Sequence, residues 1–476
     1  MTSHKGERLS LARLLIFASP ATPIAALGLP IAVHLPAYYA EYTALTLAQV
    51  GFIMMLTKLW DVITDPMLGW MSDRSQSRHG RRRPWIVLSV PFVLVSVYMV
   101  FLPPEDAGST YLLAWLIVMY VGWTMLTISH MSWAAELSDD YDERSRIQGA
   151  REGGLILGAF LVLAIPAILS NVDSDTGSRD QLRAMGLFVI ILLPIAVFFC
   201  VRTIPERTAP PPPDIPLWTA LKTMLKNRPL RTILIIDLFG GISAGTVTFL
   251  FIPLTRDALG LNLAESSLML LVYFVSGVVF VPVIVKAAYR FGKHRTLAIA
   301  SLINAFTVPF IFVIPSGDLL AIVLLWGVLG INLGAGSLLI RAITADIVDL
   351  DQIETGAQRT GVFYALINMT TKIGMALAVG VAGIALEGLF GYDIKSSTHS
   401  AEAITGLKII YVSMPVLVAV IAFFMLWNFP IDKGAQARLR KAIADREALL
   451  RSTPDAVPNP GPATPRPTGD EIRQES

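Results

Sequence analysis

Twelve runs of about 20 mostly apolar residues decide what this chain can fold into. Their approximate limits are 14–40, 47–72, 84–103, 110–134, 148–170, 183–204, 230–254, 266–289, 295–315, 319–344, 360–388 and 405–428. Each is long enough to cross a hydrocarbon layer about 30 Å thick as a helix. No water is present in that layer to satisfy peptide groups, so only helices and closed barrels can span it. The runs are too long for barrel strands and lack their apolar–polar alternation. The expected fold is therefore an all-α membrane protein with twelve transmembrane helices. Composition agrees, with 54% hydrophobic and only 16% charged residues, where soluble domains carry about 25% charged. A formal net charge of +2 is too small for a nucleic-acid-binding surface. The single cysteine, Cys200, leaves no internal disulfide and no cysteine-based metal site. The opening "MTSHKGERLSLARLL" lacks an apolar core followed by a small-residue cleavage site, so no removable signal peptide is expected.

Basic residues in the loops set the expected orientation. Arg74, Arg78, Arg81, Arg82 and Arg83 follow span 2, Arg207, Lys222, Lys226 and Arg228 follow span 6, and Arg290, Lys293 and Arg295 follow span 8. With twelve spans these loops share one side, together with Lys433, Arg438, Arg440 and Lys441 of the tail. The opposite loops "PPEDAGS" and "PSGD" carry no Lys or Arg. Both termini are expected in the cytoplasm, in a multi-pass plasma (bacterial inner) membrane.

The chain divides into an N-terminal six-helix unit (1–204), a linker (205–229), a C-terminal six-helix unit (230–430) and a tail (431–476). Prolines in "RTIPERTAPPPPDIPLW" make the linker a semi-rigid connector, and "TALKTMLKNRP" reads as a short interfacial helix. The Pro-rich end of the tail reads as disordered. The two units look duplicated. "GRRRPW" at Gly80 pairs with "GKHRTL" at Gly292, and "AELSDDYDE" at Ala135 with "ADIVDLDQ" at Ala345. Both pairs are offset by about 210 residues and occupy the same place in a six-helix unit. Two such units can rock against each other around a central site.

Within "LTKLWDVITDPMLGWMSD" the apolar run keeps two carboxylates, Asp61 and Asp65. Their i, i+4 spacing puts them on one helix face. An unpaired charge at mid-bilayer costs several kcal/mol, and two adjacent carboxylates cost more unless they share a cation or a proton. Hard cations such as Na⁺ prefer oxygen ligands. Lys58, one turn earlier, could instead neutralise Asp61 in a static ion pair.

The stretch "KLWDVITDPMLGWMSDRSQSRHGRRRPWI" resembles the glycoside–pentoside–hexuronide:cation symporter family, the melibiose-permease-like branch of the major facilitator superfamily. "AELSDDYDERSRIQGARE", "ADIVDLDQIETGAQRTGVFYALINMTTKIG" and the "FGKHR" loop agree with it. The resemblance covers essentially the whole chain except the tail. It implies two six-helix bundles in the major facilitator fold and secondary transport driven by Na⁺ or H⁺. It implies a cation site at Asp61 and Asp65, with Thr64 as a third oxygen ligand at a position that is often Asn in the family. Lys372 in span 11 matches a family lysine near the cation site, expected to compete with the coupling ion or to hold an anionic part of the substrate. A static interhelical salt bridge is the plainer role. Arg151 matches a cavity-facing arginine able to bind hydroxyl pairs, a carboxylate or a phosphate; it could equally pair with Glu152. His130 occupies a position that hydrogen-bonds sugar in relatives, and Trp133 could stack on a sugar ring or acyl surface. Either could instead be a packing residue.

Span 1 departs from the resemblance. Melibiose-type members carry an acid there, whereas "ATPIAALG" places about Ala25 at that position. Ion coupling with a changed substrate follows, and an anionic or amphipathic solute would suit Arg151 and Lys372. Asp73, Arg74 and Arg81 in the loop after span 2 are expected to act as gating residues. Asp139, Glu143, Arg144, Asp346, Asp349 and Arg359 are expected to form interdomain salt bridges. The expected function is cation-coupled symport of a small organic solute, a sugar or glycoside or an anionic or amphipathic relative. Export of drugs or metabolites on the same fold is the alternative. Na⁺ or H⁺ is the coupling ion, no other cofactor or metal is expected, and the partners are the substrate and the bilayer around a monomer. With no nucleophile–base pair in evidence, an enzyme is not expected.

Overall fold

The computed structural model describes residues 8–75, 77–78, 80–138, 141–172, 178–206, 227–355, 360–396, 398–427 and 429–430. The linker helix expected at 219–229 falls largely outside the described residues, as does the tail from 431. The described residues form helices and connecting turns, with no strand among them.

The twelve spans are α1 (Leu11–Tyr42), α2 (Leu47–Arg74), α3 (Arg83–Phe101), α4 (Ser109–Glu136), α5 (Tyr141–Val172) and α6 (Ser178–Thr203). The second bundle holds α7 (Arg228–Phe249), α8 (Leu263–Val279 with Val281–Phe291), α9 (Lys293–Phe312), α10 (Leu319–Thr355), α11 (Thr360–Phe390) and α12 (Ala401–Trp427). Span 8 is not the straight helix its run of apolar residues predicts. It bends by 44° between Val279 and Val281. Pro282 opens the second segment; it lacks the N–H needed to continue the first.

Proline also interrupts the first helix of each bundle. In α1, Pro30–His34 forms a π-helical turn in which the Leu35 amide reaches back to the Pro30 carbonyl. After α7, Leu254–Ala258 forms a second π turn directly behind Pro253. Such turns widen the helix by one residue and recur at functional sites.

The bundles meet along two helix pairs, α2 with α11 and α5 with α8. Small residues let these backbones approach, as packing in lipid requires. A Cβ on Gly51 of α2 would lie 2.7 Å from the Val379 carbonyl oxygen of α11. The apolar core reflects the same geometry. One cluster runs the length of the first bundle and joins the second at the end away from the basic loops, where Leu47, Val50 and Met54 meet Phe249, Val379 and Leu386. A second cluster near the basic-loop end, including Leu230, Ile343, Phe363 and Leu426, draws only on the second bundle. The bundles are thus packed together at one end and separately cored at the other.

Candidate functional site

The site grows from α2. Thr46 and Gln49 form a reciprocal capping box that fixes where this helix starts, with contacts of 3.2 and 3.0 Å. Counting in helical steps from there, Asp61 and Asp65 face the interior together. Asp61 is 7% exposed. Thr124 of α4 and Lys372 of α11 bridge the two carboxylates. The Thr124 hydroxyl lies 2.8 Å from Asp61 Oδ1 and 2.9 Å from Asp65 Oδ1. Lys372 Nζ lies 2.7 Å from Asp61 Oδ2 and pairs with Asp65 as well.

This geometry carries a chemical constraint. A threonine hydroxyl has one proton to donate, yet Thr124 sits within hydrogen-bond distance of two carboxylates. A proton on either acid lets all three oxygens pair, because a protonated acid donates to the Thr124 oxygen. The ammonium occupies the place where a cation would neutralise both acids. The site can therefore exchange one positive charge for another. Lys58 adds a further ammonium within electrostatic reach of Asp61 and Lys372.

The other expected residues are distributed more widely. Thr64 is buried but donates to its own helix, to the Trp60 carbonyl at 3.2 Å and the Asp61 carbonyl at 3.4 Å. Its proton is thus given to backbone while its oxygen keeps its lone pairs, and Thr124 is the hydroxyl that lies between the acids. Arg151 is buried on α5, donates to Glu152 at 3.2 Å and lies within electrostatic reach of Arg341 and His130. His130 and Trp133 pack around Phe17 of α1, at ring separations of 4.7 and 5.5 Å. His130 Nε2 meets the Phe17 carbonyl at 2.8 Å, while His130 Nδ1 and Trp133 Nε1 are buried without a hydrogen-bond partner. These two rings belong to the core of the first bundle.

The internal repeat appears as a pair of equivalent clamps. Arg81 follows Gly80 and reaches Glu136 of α4 at 2.6 Å. Lys293 follows Gly292 and reaches Asp346 of α10 at 2.7 Å. Both glycines take left-handed backbone, with φ of 104° and 89°, which favours glycine there. Glu206 receives the amides of Arg81, Arg82 and Arg83 at 2.6, 2.5 and 3.1 Å, which caps the start of α3. Arg74 lies over the Trp70 ring at 4.2 Å, and Asp73 sits in the last turn of α2. Arg81 and Asp346 thus form clamps within a bundle. Glu143 likewise pairs with Arg146 of its own helix at 3.1 Å. Asp139 and Arg359 lie outside the described residues.

Besides the Lys372 pairs, further ion pairs and polar bonds across the bundles occur at the opposite end. Arg256, in the second π turn, reaches Glu41 of α1 at 2.5 Å and its neighbour Asp257 at 2.7 Å. Lys395 donates to the Thr43 carbonyl at 2.8 Å, and Glu387 accepts the Ala48 amide at 2.7 Å. The Tyr392 hydroxyl donates to Asp257. Burial, with the Asp257 charge beside it, raises the Tyr392 phenol far above its ordinary range, so it stays a donor. Sequence reasoning missed this latch, because its residues look like ordinary loop charges until the ends of α1, α7 and α11 converge. It also missed Thr124 and Asp237. A lone carboxylate inside "TILIIDLFGG" was a signal available in the sequence.

Comparison with known proteins adds an independent line. Residues 16–433 match the family described as MFS/sugar transport protein. A glucuronide carrier protein homolog of Escherichia coli (strain K12) is 24% identical over 408 residues, covering 84% of this chain and 88% of that protein. A sodium-dependent lysophosphatidylcholine symporter 1 of Gallus gallus is 23% identical over 482 residues, covering 92% and 90%. The crystal structure of the nucleoside transporter NupG shares the fold, with a TM-score of 0.64 at 13% identity over 88% of this chain and 100% of that one.

Proposed function

Because this chain belongs to the MFS/sugar transport protein family, we propose that it is a cation-coupled symporter working by alternating access. Its family and relatives are transporters, not enzymes, and the relatives include named symporters. The chain is an integral membrane protein of the major facilitator fold.

The observation that carries the reading is the Asp61–Asp65 pair, midway along α2, buried at Asp61 and half-buried at Asp65, and held by an ammonium from the other bundle. Two such acids with a shared counter-charge form an exchange site. A Na⁺ ion or a proton displaces Lys372, and that displacement alters a contact between the bundles. Coupling follows, because ion occupancy changes the energy of one conformation relative to the other. The substrate is a sugar or glycoside, or an anionic or amphipathic solute of similar size. Relatives named for a glucuronide and for lysophosphatidylcholine support that range. Arg151 and Lys372 are the cationic groups for a carboxylate or phosphate. The moving units are 1–204 and 230–430, joined by the linker 205–229. The basic loops and both termini face the cytoplasm of a plasma (bacterial inner) membrane. The conformation described here then opens inward, with the outer latch closed.

The test is uptake into proteoliposomes of sugars, sugar acids and lysolipids, each under a Na⁺ gradient, a proton gradient or neither. Wild-type protein accumulates a substrate only with one gradient. Asp61→Asn and Asp65→Asn each abolish accumulation while leaving gradient-independent exchange measurable. Full accumulation by the double variant, or gradient-driven extrusion instead of uptake, refutes the reading.

A further inference from the structure

A further buried carboxylate lies on the second bundle, outside this machinery. Asp237, on α7 of the second bundle, is 7% exposed. Its Oδ2 accepts the hydroxyls of Thr370 at 2.8 Å and Thr371 at 2.5 Å, both on α11. No Lys or Arg pairs with it among the described residues. An ionised carboxylate in mid-membrane with neutral donors alone is costly. Such a group is retained where another state of the protein supplies the missing charge.

Thr371 is followed by Lys372. Successive residues on a helix point about 100° apart, so α11 turns Thr371 toward α7 and Lys372 toward α2. α7 and α11 are locked together at this level. A Cβ on Gly241 of α7 would lie 2.4 Å from the Thr371 carbonyl oxygen, and one on Gly374 of α11 would lie 2.2 Å from the Leu238 carbonyl oxygen. Asp237 therefore cannot retreat from the 370–372 segment. The Lys372 side chain has four rotatable carbons and starts one residue from Asp237's hydrogen-bond partner.

A monovalent cation at Asp61 and Asp65 leaves the Lys372 ammonium without its partners, and Asp237 is the carboxylate held by the neighbouring Thr371.

We propose that Asp237 is the alternative acceptor of the Lys372 ammonium, taking it from Asp61 and Asp65 when the coupling cation binds there. This rests on the reading of Asp61 and Asp65 as the cation site. Asp237 then raises cation affinity without touching the cation. It also draws α11 away from α2 in the loaded state, which loosens the contact that joins the bundles. Thr370 and Thr371 hold the acceptor oriented until the ammonium arrives.

The experiment uses purified full-length protein and the cations themselves as probes. Thermal stability is measured against Na⁺ at fixed pH, and against pH without Na⁺, to obtain the half-saturating concentration. Asp237→Asn is expected to raise that concentration by about tenfold or more, a usual size for coupling between sites. Asp237→Glu keeps the charge and stays within about threefold, on the same scale. On a Lys372→Ala background no ammonium needs a new partner, so adding Asp237→Asn changes nothing further. A merely structural Asp237 would instead weaken both backgrounds alike. Unchanged half-saturation in Asp237→Asn, or an undiminished effect beside Lys372→Ala, overturns the proposal while leaving the cation site intact. If Asp237→Asn does not fold, the comparison of Lys372→Ala with the double variant decides, and a difference above about threefold overturns the proposal. A wild-type protein that responds to neither cation overturns the underlying site, and the proposal with it.

Discussion

At the scale of single residues, the centre of this transporter is a problem in charge neutralisation. Two acids one helical turn apart are tolerated in lipid because an ammonium and a hydroxyl bridge them. Thr124 is the group whose contribution can be isolated. Hydrogen bonds to charged groups are worth about 1.5–3 kcal/mol, and 1.4 kcal/mol corresponds to about tenfold in affinity. Thr124→Val keeps the shape and removes the donor. It is expected to weaken apparent cation affinity by about tenfold or more, measured as the cation concentration giving half-maximal uptake. Thr124→Ser keeps the hydroxyl and stays near wild type. Wild-type affinity in Thr124→Val would show that Lys372 alone organises the acids.

At the scale of elements, backbone proximity is what makes these contacts possible. α11 lies between α2 and α7, presenting Lys372 to one and Thr370 and Thr371 to the other. Gly374 allows this, since any Cβ there would strike the α7 backbone. Gly374→Val is expected to lower stability by about 1–3 kcal/mol, as overpacking does, read as a fall in the thermal unfolding midpoint in detergent. Gly336 of α10 offers a control, because a Cβ there meets nothing within 4 Å. Gly336→Ala should leave the midpoint unchanged or raise it slightly, because alanine favours the helix. An equal loss at both positions would mean that the α7–α11 approach does not set the effect. The π turns of α1 and α7 belong at this scale too. Each follows from proline chemistry and places one partner of the Glu41–Arg256 latch on or close behind a widened turn.

At the scale of the whole molecule, the latch and the clamps have different tasks. The Arg81–Glu136 and Lys293–Asp346 clamps each stay within one bundle, so they stiffen that bundle internally. The Glu41–Arg256 and Glu387–Ala48 contacts cross between bundles, so they weight one conformation over another. The latch residues are partly exposed, and such pairs contribute about 1 kcal/mol or less. Glu41→Gln with Glu387→Gln is therefore expected to shift the equilibrium toward the opposite-facing state by about fivefold. Val50, buried between the bundles, offers a reporter. A cysteine at Val50 should react faster with a membrane-impermeant maleimide in the double variant, against the low background of the buried Cys200. Unchanged labelling would show that apolar packing alone holds that end closed.

The sequence by itself determined the helical membrane fold, because the apolar runs leave the backbone no other way to satisfy its hydrogen bonds in lipid. It also determined that Asp61 and Asp65 share a face and that the chain repeats itself, since both follow from local spacing. The repeat then reappears in three dimensions as paired glycine-led clamps at Gly80 and Gly292. What meets the acids was decided only by tertiary structure. Lys372 and Asp61 are 311 residues apart, and Thr124 and Asp61 are 63 apart. Helical periodicity relates residues within one turn or two, and carries no information about which face of which distant helix arrives opposite. For the same reason the latch around Arg256 and the hydroxyl cradle of Asp237 emerged only once the helices had packed. Their partners sit on elements whose meeting is set by small residues and shape complementarity, not by any pattern along the chain.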